Sequence, residues 1–392
     1  MGVLISGASI AGPVLAYWLA RHGFEVTVVE RAPALRKTGG HAVDLFRPAM
    51  DIVERMGVLP EVLDLKTGTD ALTVHTSGAR PVDVDLRRFF STLSDRHVEI
   101  MRDDLSEVLY NATRDDVEYV FGDSITHISP EGEVTFEHGA PRRFDVVVGA
   151  DGLHSNVRRL VFGEVPHHFI GGYLAVLSLP KNFSSPNHTF LHLRAGRMAA
   201  VYTAEHLSDA RAVFLFRSGK LEYHYRDVER QKELLREAYA DMAEVGPWLE
   251  HDGTFYFDSI TQLRQDTWSR DRVTLVGDAG YCPGPAVGGS TSLAVVGAYV
   301  LANETAAHRN HTDAFKAYES EIGDYVRRSR AFALTAAKRL LPTTGRDVWL
   351  LRNGARLLNR LPLPIGRALT KLNRNGVRLH DEVRLKPYPT HV

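Results

Sequence analysis

Short apolar runs that end in glycine-rich turns recur along the chain and organise it. Val3-Leu4-Ile5 reads as a buried strand, broken at Gly7-Ala8-Ser9-Ile10-Ala11-Gly12. Pro13 to His22 continue at helical spacing, and Glu25 to Val29 form a second apolar strand that stops on Glu30. Phe144 to Ala150 and Val273 to Val276 are two more continuous apolar runs, and each passes directly into a Gly/Asp turn. Apolar runs without alternation are expected where a strand is covered on both faces, as in a parallel sheet flanked by helices.

Helical spacing predicts helices over Pro48 to Met56, Leu86 to Leu93, Met101 to Thr113, Asp227 to Met242, Ser290 to Ala307 and Thr312 to Leu340. His41 to Leu45 is extended after the Gly39-Gly40 pair. Tyr119 to Phe121, Ile125 to Ile128 and Val134 to Phe136 alternate as a small antiparallel meander turning at Pro130-Glu131-Gly132. Between about Pro166 and Ile260 the texture changes to strand-like segments separated by Gly, Pro, Asn and Ser clusters, and Leu72 to His75 leads towards them. The implied class is α/β. Residues 1–72, 98–165 and 261–328 make a discontinuous parallel-sheet domain, 73–97 and 166–260 an inserted β-sheet domain, and 329–392 a C-terminal helical segment. From Ala331 onward that last segment carries twelve Lys or Arg against three acids, and Pro342, Pro362 and Pro364 divide it into short amphipathic helices. It is expected to bridge the two domains with its charges solvated. A basic helix lying on a membrane surface is the other reading.

Strand, glycine turn, helix, strand and terminal acid are the parts of a unit that binds an ADP moiety. The turn brings backbone N–H groups and a helix N-terminus up to a pyrophosphate, and Glu30 accepts hydrogen bonds from ribose hydroxyls. Gly7, Ser9, Ile10, Ala11, Gly12, Glu30 and Arg31 are therefore candidate cofactor contacts, with Ser9 in the place of the middle glycine. This motif does not separate NAD from FAD. A formal net charge of −1 argues against a polyanionic partner such as nucleic acid. The single cysteine, Cys282, excludes an internal disulfide and argues for a reducing compartment, and no C-x-x-C or His cluster has the spacing of a metal site. The first strand begins directly after Met1, which leaves no room for a signal peptide, and no apolar run is long enough to span a bilayer. A cytoplasmic protein without a transmembrane segment is expected.

The two later junctions supply Asp151-Gly152, with Ser155 and Arg158 on the helix that follows, and Gly277-Asp278, followed by Pro283-Gly284-Pro285 and Gly288-Gly289. The order and spacing of the three sites resemble the flavoprotein aromatic hydroxylases, the single-component FAD-dependent monooxygenases, from Val3 to about Tyr325. The resemblance implies a Rossmann-type (GR2-like) FAD-binding domain, with FAD as cofactor and NADPH (or NADH) as co-substrate. In that family the first motif holds the ADP half of FAD. The position matching Asp151-Gly152 with Arg158 serves FAD and the NADPH approach together. The acid matching Asp278 hydrogen-bonds the ribityl chain, and an FAD-contacting arginine at the start of a helix matches Arg102. Gly277, Pro285, Gly288 and Gly289 complete the candidate set, and Tyr281 stands where the family usually has histidine. A helix starting at Gly288-Gly289 offers free N–H groups and the positive end of its dipole to an anionic reduced flavin. The Gly39 to Leu45 segment is reminiscent of the tetracycline-inactivating branch and of polyketide hydroxylases.

The implied reaction passes a hydride from NAD(P)H to flavin N5. O2 then adds at C4a, and the distal oxygen of the C4a-hydroperoxyflavin goes to an electron-rich carbon of a hydrophobic, aromatic or polyketide-like molecule. The scheme needs no catalytic side chain and no metal. A flavin-dependent halogenase would carry Trp-x-Trp-x-x-Pro, whereas Trp18, Trp248, Trp268 and Trp349 stand alone. A flavin reductase or dehydrogenase that excludes O2, and a flavin-binding protein without turnover, are the open alternatives.

Overall fold

The computed structural model describes residues 1–35, 40–87, 96–224, 226–285, 289–360 and 383–388. Its central sheet has six strands in the order Ser269–Arg270, Val273–Leu275, Val146–Gly149, Gly2–Ser6, Glu25–Glu30 and Glu118–Phe121. All neighbours pair in parallel except the first two. The four inner strands are largely buried, with Val3, Leu4, Ile5, Val28 and Val147 fully inaccessible. That is the physical meaning of their unbroken apolar runs. The helices Ala11–Arg21 and Ser290–Ala307 cover the sheet, and both are largely buried.

Glu118–Phe121 is not part of the meander but the outer parallel strand beside Glu25–Glu30. The meander consists of Ile125–Ile128, Glu133–Phe136 and Arg142–Arg143. The edge position suits the aromatic side chains: Tyr119 and Phe121 stack at 5.9 Å, and Tyr110 of the helix Arg102–Asn111 meets Tyr119 edge-on at 4.8 Å. The extended segment after the glycine pair forms the strand Ala42–Phe46, which pairs antiparallel with His97–Met101. The helix expected from Leu86 shows only its first two residues, because 88–95 lie outside the described residues.

A seven-stranded sheet runs Phe255–Leu263, His167–Pro180, Asp209–Arg217, Arg197–Tyr202, His188–Arg194, Ala71–Thr76 and Ala79–Asp85. One face packs a core of Tyr173, Phe214, Phe216, Tyr239 and Trp248. The helix His311–Leu340 belongs to two cores. Ala314, Phe315, Tyr318 and Ile322 pack into that of the central sheet, while Ala333, Ala336 and Ala337 lie against Leu174, Val176, Leu215 and Ile260 of the seven-stranded sheet. Arg217 donates to the last carbonyls of this helix, those of Ala337 and Leu341, at 3.2 and 2.8 Å. The next helix, Gly345–Arg360, sits on the strand pair Ala71–Asp85 through Val348, and Arg352 donates to the Arg80 carbonyl at 2.7 Å. Residues 383–388 return to the central core. There the Tyr388 hydroxyl donates to Glu304 Oε1 at 2.7 Å, and Lys386 Nζ reaches the same oxygen at 3.1 Å.

Candidate active site

The first turn is built around two glycines. Gly7 has φ +112°, and a Cβ on it would lie 2.5 Å from the Ala150 carbonyl oxygen. A Cβ on Gly12 would lie 1.9 Å from the Gly7 carbonyl oxygen, so the helix rests directly on the turn. Ile10 precedes that helix without any side-chain cap, which leaves the first N–H groups of Ala11, Gly12 and the residues around them for a ligand. Glu30 closes the turn from the neighbouring strand: its carboxylate accepts the Ala8 N–H at 3.1 Å and the Ala32 N–H at 2.9 Å. The exposed Arg102 guanidinium donates to Ser9 Oγ at 3.2 Å, and Ser106 Oγ donates to the Ser9 carbonyl at 3.1 Å. The result is a groove of about 210 Å³ walled by Gly7, Ser9, Glu30, Arg31, Arg102, Asp151 and Gly152.

The three strand ends lie side by side. Ala150 N–H donates to the Ser6 carbonyl at 2.8 Å, and Val276 N–H to the Gly149 carbonyl at 2.9 Å. Gly277 has φ +67°, and its small size lets Ala11 and Ala294 approach, so the third turn touches the start of the first helix. Asp151 lines the groove, but its carboxylate is engaged within the chain, by Ser155 Oγ at 2.5 Å and by the N–H groups of Asn156 and Val157 at 2.8 and 3.0 Å. Burial pushes this carboxyl up, and those three donors oppose the shift. Arg158 lies outside the groove. It is buried, and it donates to the carbonyls of Ala279 and Leu153 at 2.7 and 2.5 Å, a strut between the second and third turns. Asp278 is half-buried. Burial raises its carboxyl, against the positive charge of Arg102 and a hydrogen bond from Cys282. Tyr281 is a core residue: its hydroxyl lies 3.1 Å from that of Tyr318, in a space that a Cβ on Gly297 would fill.

Gly289 has φ +85° and precedes the helix Ser290–Ala307, again without a side-chain cap. Pro285 ends the preceding described segment, half-buried in a turn, and Gly288 lies outside the described residues. Ser292 pins this helix start to the extended segment, since its Oγ accepts the Phe46 N–H at 3.0 Å and lies 3.2 Å from the Asp44 carbonyl. Between Gly289–Thr291 and the seven-stranded sheet lies a second cavity of about 350 Å³, apolar over Leu72, Leu174, Leu191, Met198, Val213 and Leu215. The His41 ring on its wall is held at about 4 by burial and by Arg102, and is therefore neutral at physiological pH. The His41 carbonyl accepts the Arg102 N–H at 3.2 Å, which ties the groove to the cavity. Reasoning from sequence missed Asp103, Ser106, Asp123 and Tyr256 on the groove and His41, Glu99 and Tyr202 on the cavity. Only Asp103, in the acidic first turn beside Arg102, carried a local signal.

The residues fit a dinucleotide: a cradle that any side chain would fill, an uncapped helix N-terminus and an acid at the end of the second strand. The family described as "FAD binding domain" matches residues 1–333. The chain is 42% identical over 347 residues to the uncharacterised protein Rv1260 of Mycobacterium tuberculosis, covering 84% of this chain and 91% of that protein. It is 33% identical to a flavin-dependent monooxygenase of Legionella longbeachae over 86% of this chain and 89% of the relative. Among solved structures, tetracycline destructase Tet(55) superposes with a TM-score of 0.83 at 30% identity, covering 98% of both chains. Klebsiella pneumoniae HpxO, complexed with FAD and uric acid, shares the fold at a TM-score of 0.74 and 18% identity, over 97% of both chains. With the groove, the three converging turns and these likenesses together, the chain belongs to the FAD-dependent aromatic hydroxylase family, the single-component flavoprotein monooxygenases.

Proposed function

We propose that this protein uses NAD(P)H and O2 to hydroxylate a hydrophobic aromatic or polyketide-like molecule in the cytoplasm. The observation that carries the reading is the apolar cavity of about 350 Å³ whose floor is the uncapped helix start at Gly289. When bound, FAD supplies the redox chemistry, taking a hydride from NAD(P)H and delivering one oxygen atom of O2. The chain supplies position and field. The first turn and Glu30 hold the ADP half, Asp278 holds the ribityl chain, and Arg102 spans the two. The helix end at Gly289 favours negative charge beside it. The leucine-rich sheet face excludes water and seats the substrate. On this reading 1–72, 98–165 and 261–328 are the FAD domain, 73–97 and 166–260 the substrate domain, and 329–392 the bridge between them. The names of the tetracycline destructases point to the same kind of ring system. The one cysteine, buried and unpaired, suits a reducing compartment. Among the described residues no helix is long and apolar enough to cross a membrane.

The purified protein is expected to be yellow, with one FAD that acid precipitation releases to the supernatant. A library of aromatic and polyketide compounds is then screened for those that accelerate NAD(P)H consumption, with mass spectrometry under isotopic oxygen. Gain of one labelled oxygen supports the reading. Reduction without oxygen incorporation identifies a reductase or dehydrogenase, and absence of any substrate-stimulated consumption identifies a flavin-binding protein without turnover.

Asp278→Ala tests the third motif. A hydrogen bond to a charged group contributes roughly 1.5–3 kcal/mol, so FAD affinity is expected to fall about ten- to a hundredfold. Fluorescence titration of the apoprotein measures it. Unchanged affinity would reduce Asp278 to a turn residue.

A further inference from the structure

Large apolar side chains at the surface are concentrated in one place. Of the eight that are well exposed among the described residues, five lie between Leu340 and Leu357. Single exposed apolar residues are ordinary, but a group of them marks an interaction site. The helix Gly345–Arg360 carries four, and its inner face is fixed: Val348 packs with Val74 and Leu193, and Arg352 donates to the Arg80 carbonyl. At 3.6 residues per turn, Trp349, Leu357 and Leu350 fall within one arc of about 100°, on the side away from Val348. They are 60%, 58% and 51% exposed. Arg346 stands within the same arc and Arg356 at its border, and neither has a hydrogen-bond or ion-pair partner among the described residues. Leu340, which precedes this helix, is exposed and also lines the apolar cavity.

The charge says what covers this face. A second copy of the chain fits badly, because a two-fold contact sets a patch against itself. From Ala331 to Arg360 there are six Lys or Arg against one acid, Asp347, whose carboxylate already receives the Thr344 N–H at 3.1 Å and Oγ1 at 2.8 Å. Arg346 would then be buried against like charge. Lipid phosphates answer that charge at the depth where leucine enters the acyl layer, and tryptophan favours this boundary. The rest of the chain has more acids than bases, so an anionic surface attracts this end and repels the remainder.

We propose that the helix Gly345–Arg360 docks this protein on the anionic face of a phospholipid bilayer. Trp349, Leu350 and Leu357 enter the boundary of the acyl layer, and Arg346 and Arg356 meet lipid phosphates. The helix stays packed on its sheet and lies along the membrane plane. The docking needs no flavin chemistry and is independent of the monooxygenase reading.

Flotation of the full-length, FAD-loaded protein with large unilamellar vesicles tests the proposal. Phosphatidylcholine vesicles are compared with mixed phosphatidylcholine–phosphatidylglycerol vesicles. Binding to the anionic vesicles, weakened by added salt, is expected. Trp248 and Trp268 are buried and Trp18 is half-buried, so the exposed Trp349 reports on docking, and its emission should shift to the blue. Leu350→Gln combined with Leu357→Gln keeps good helix formers in place and should lower the affinity about a hundredfold. Arg346→Gln should lower it about fivefold, on anionic vesicles only. Thermal midpoint and flavin content should match the wild type in both variants, because the replaced side chains face outward. A wild type that binds neither kind of vesicle overturns the proposal. So does equal binding to both kinds that the variants leave unchanged. A wild-type dimer that floats with no vesicle and that the double leucine variant dissociates also overturns it, and makes the face a contact between copies.

Discussion

Gly12→Ala is expected to give a protein that retains no FAD. The added Cβ would lie 1.9 Å from the Gly7 carbonyl oxygen and 3.1 Å from its carbon. Both sides of this contact are backbone, so no rotamer relieves it, and the helix must back away from the turn. Overpacking of this kind costs about 1–3 kcal/mol or more in stability. The larger loss falls on the cofactor, because the turn and the helix N-terminus no longer aim their N–H groups at one phosphate pair. Several charge-assisted hydrogen bonds weaken together, and affinity should drop at least about a hundredfold. Flavin absorbance per mole of purified protein and the thermal midpoint measure the two effects separately. Gly354→Ala is the contrast. It lies in the middle of the helix Gly345–Arg360 with nothing near the would-be Cβ, and should stabilise by about 0.5–1 kcal/mol. A Gly12→Ala protein with full FAD would show that helix and turn have slack between them.

The second large effect concerns Glu304. It is 1% exposed, within the helix Ser290–Ala307, and its Oε1 is held by Tyr388 at 2.7 Å and by Lys386 at 3.1 Å, while His308 Nδ1 bonds the Glu304 backbone carbonyl at 2.9 Å. Lys386→Met and Tyr388→Phe together remove both hydrogen bonds that the carboxylate receives from described residues, while keeping most of the packed volume. Depriving a buried charge of its partners typically costs about 3–5 kcal/mol. Denaturant unfolding should register a loss of that size. Adding Glu304→Gln to the same background should recover much of it, since no charge then remains buried. If the double variant is as stable as the wild type, the contacts of 383–388 with Glu304 are incidental.

Much of the nucleotide site is legible in the sequence because its signals are local. An apolar run, a glycine that the backbone demands and a helix start occupy a dozen consecutive residues at each of the three junctions. What was misread or missed is non-local. Tyr119 to Phe121 alternates like its meander neighbours, and nothing within the segment says that its partner is Val28 to Glu30. The strand His97–Met101 exists because Ala42–Phe46 lies beside it, and its last residue also reads as the start of the next helix. Arg158 sits where a cofactor contact is expected, yet the carbonyls of Ala279 and Leu153 claim its guanidinium. Glu99 and Tyr202 come from segments about a hundred residues apart and meet only at the cavity wall. No spacing rule links them.

The layout of the central sheet also sets an order of events during synthesis. Val3 pairs with Val146, 143 residues away, and Val147 pairs with Val273, later still. At about 5–20 residues per second, the first strand leaves the ribosome roughly 7 to 30 seconds before its inner neighbour exists. During that interval only Glu25–Glu30, and later Glu118–Phe121, are available to the young sheet. The other edge of the strand Gly2–Ser6 stays open, an apolar template for wrong pairing. The turn at Gly7 cannot set firmly until Ala150 stacks under it, and the helix start at Gly289 comes later still. FAD is therefore a ligand of the nearly finished chain. It stabilises the product of folding and does nothing to guide its first half, so yield in a cell should depend more on chaperone capacity during elongation than on flavin supply.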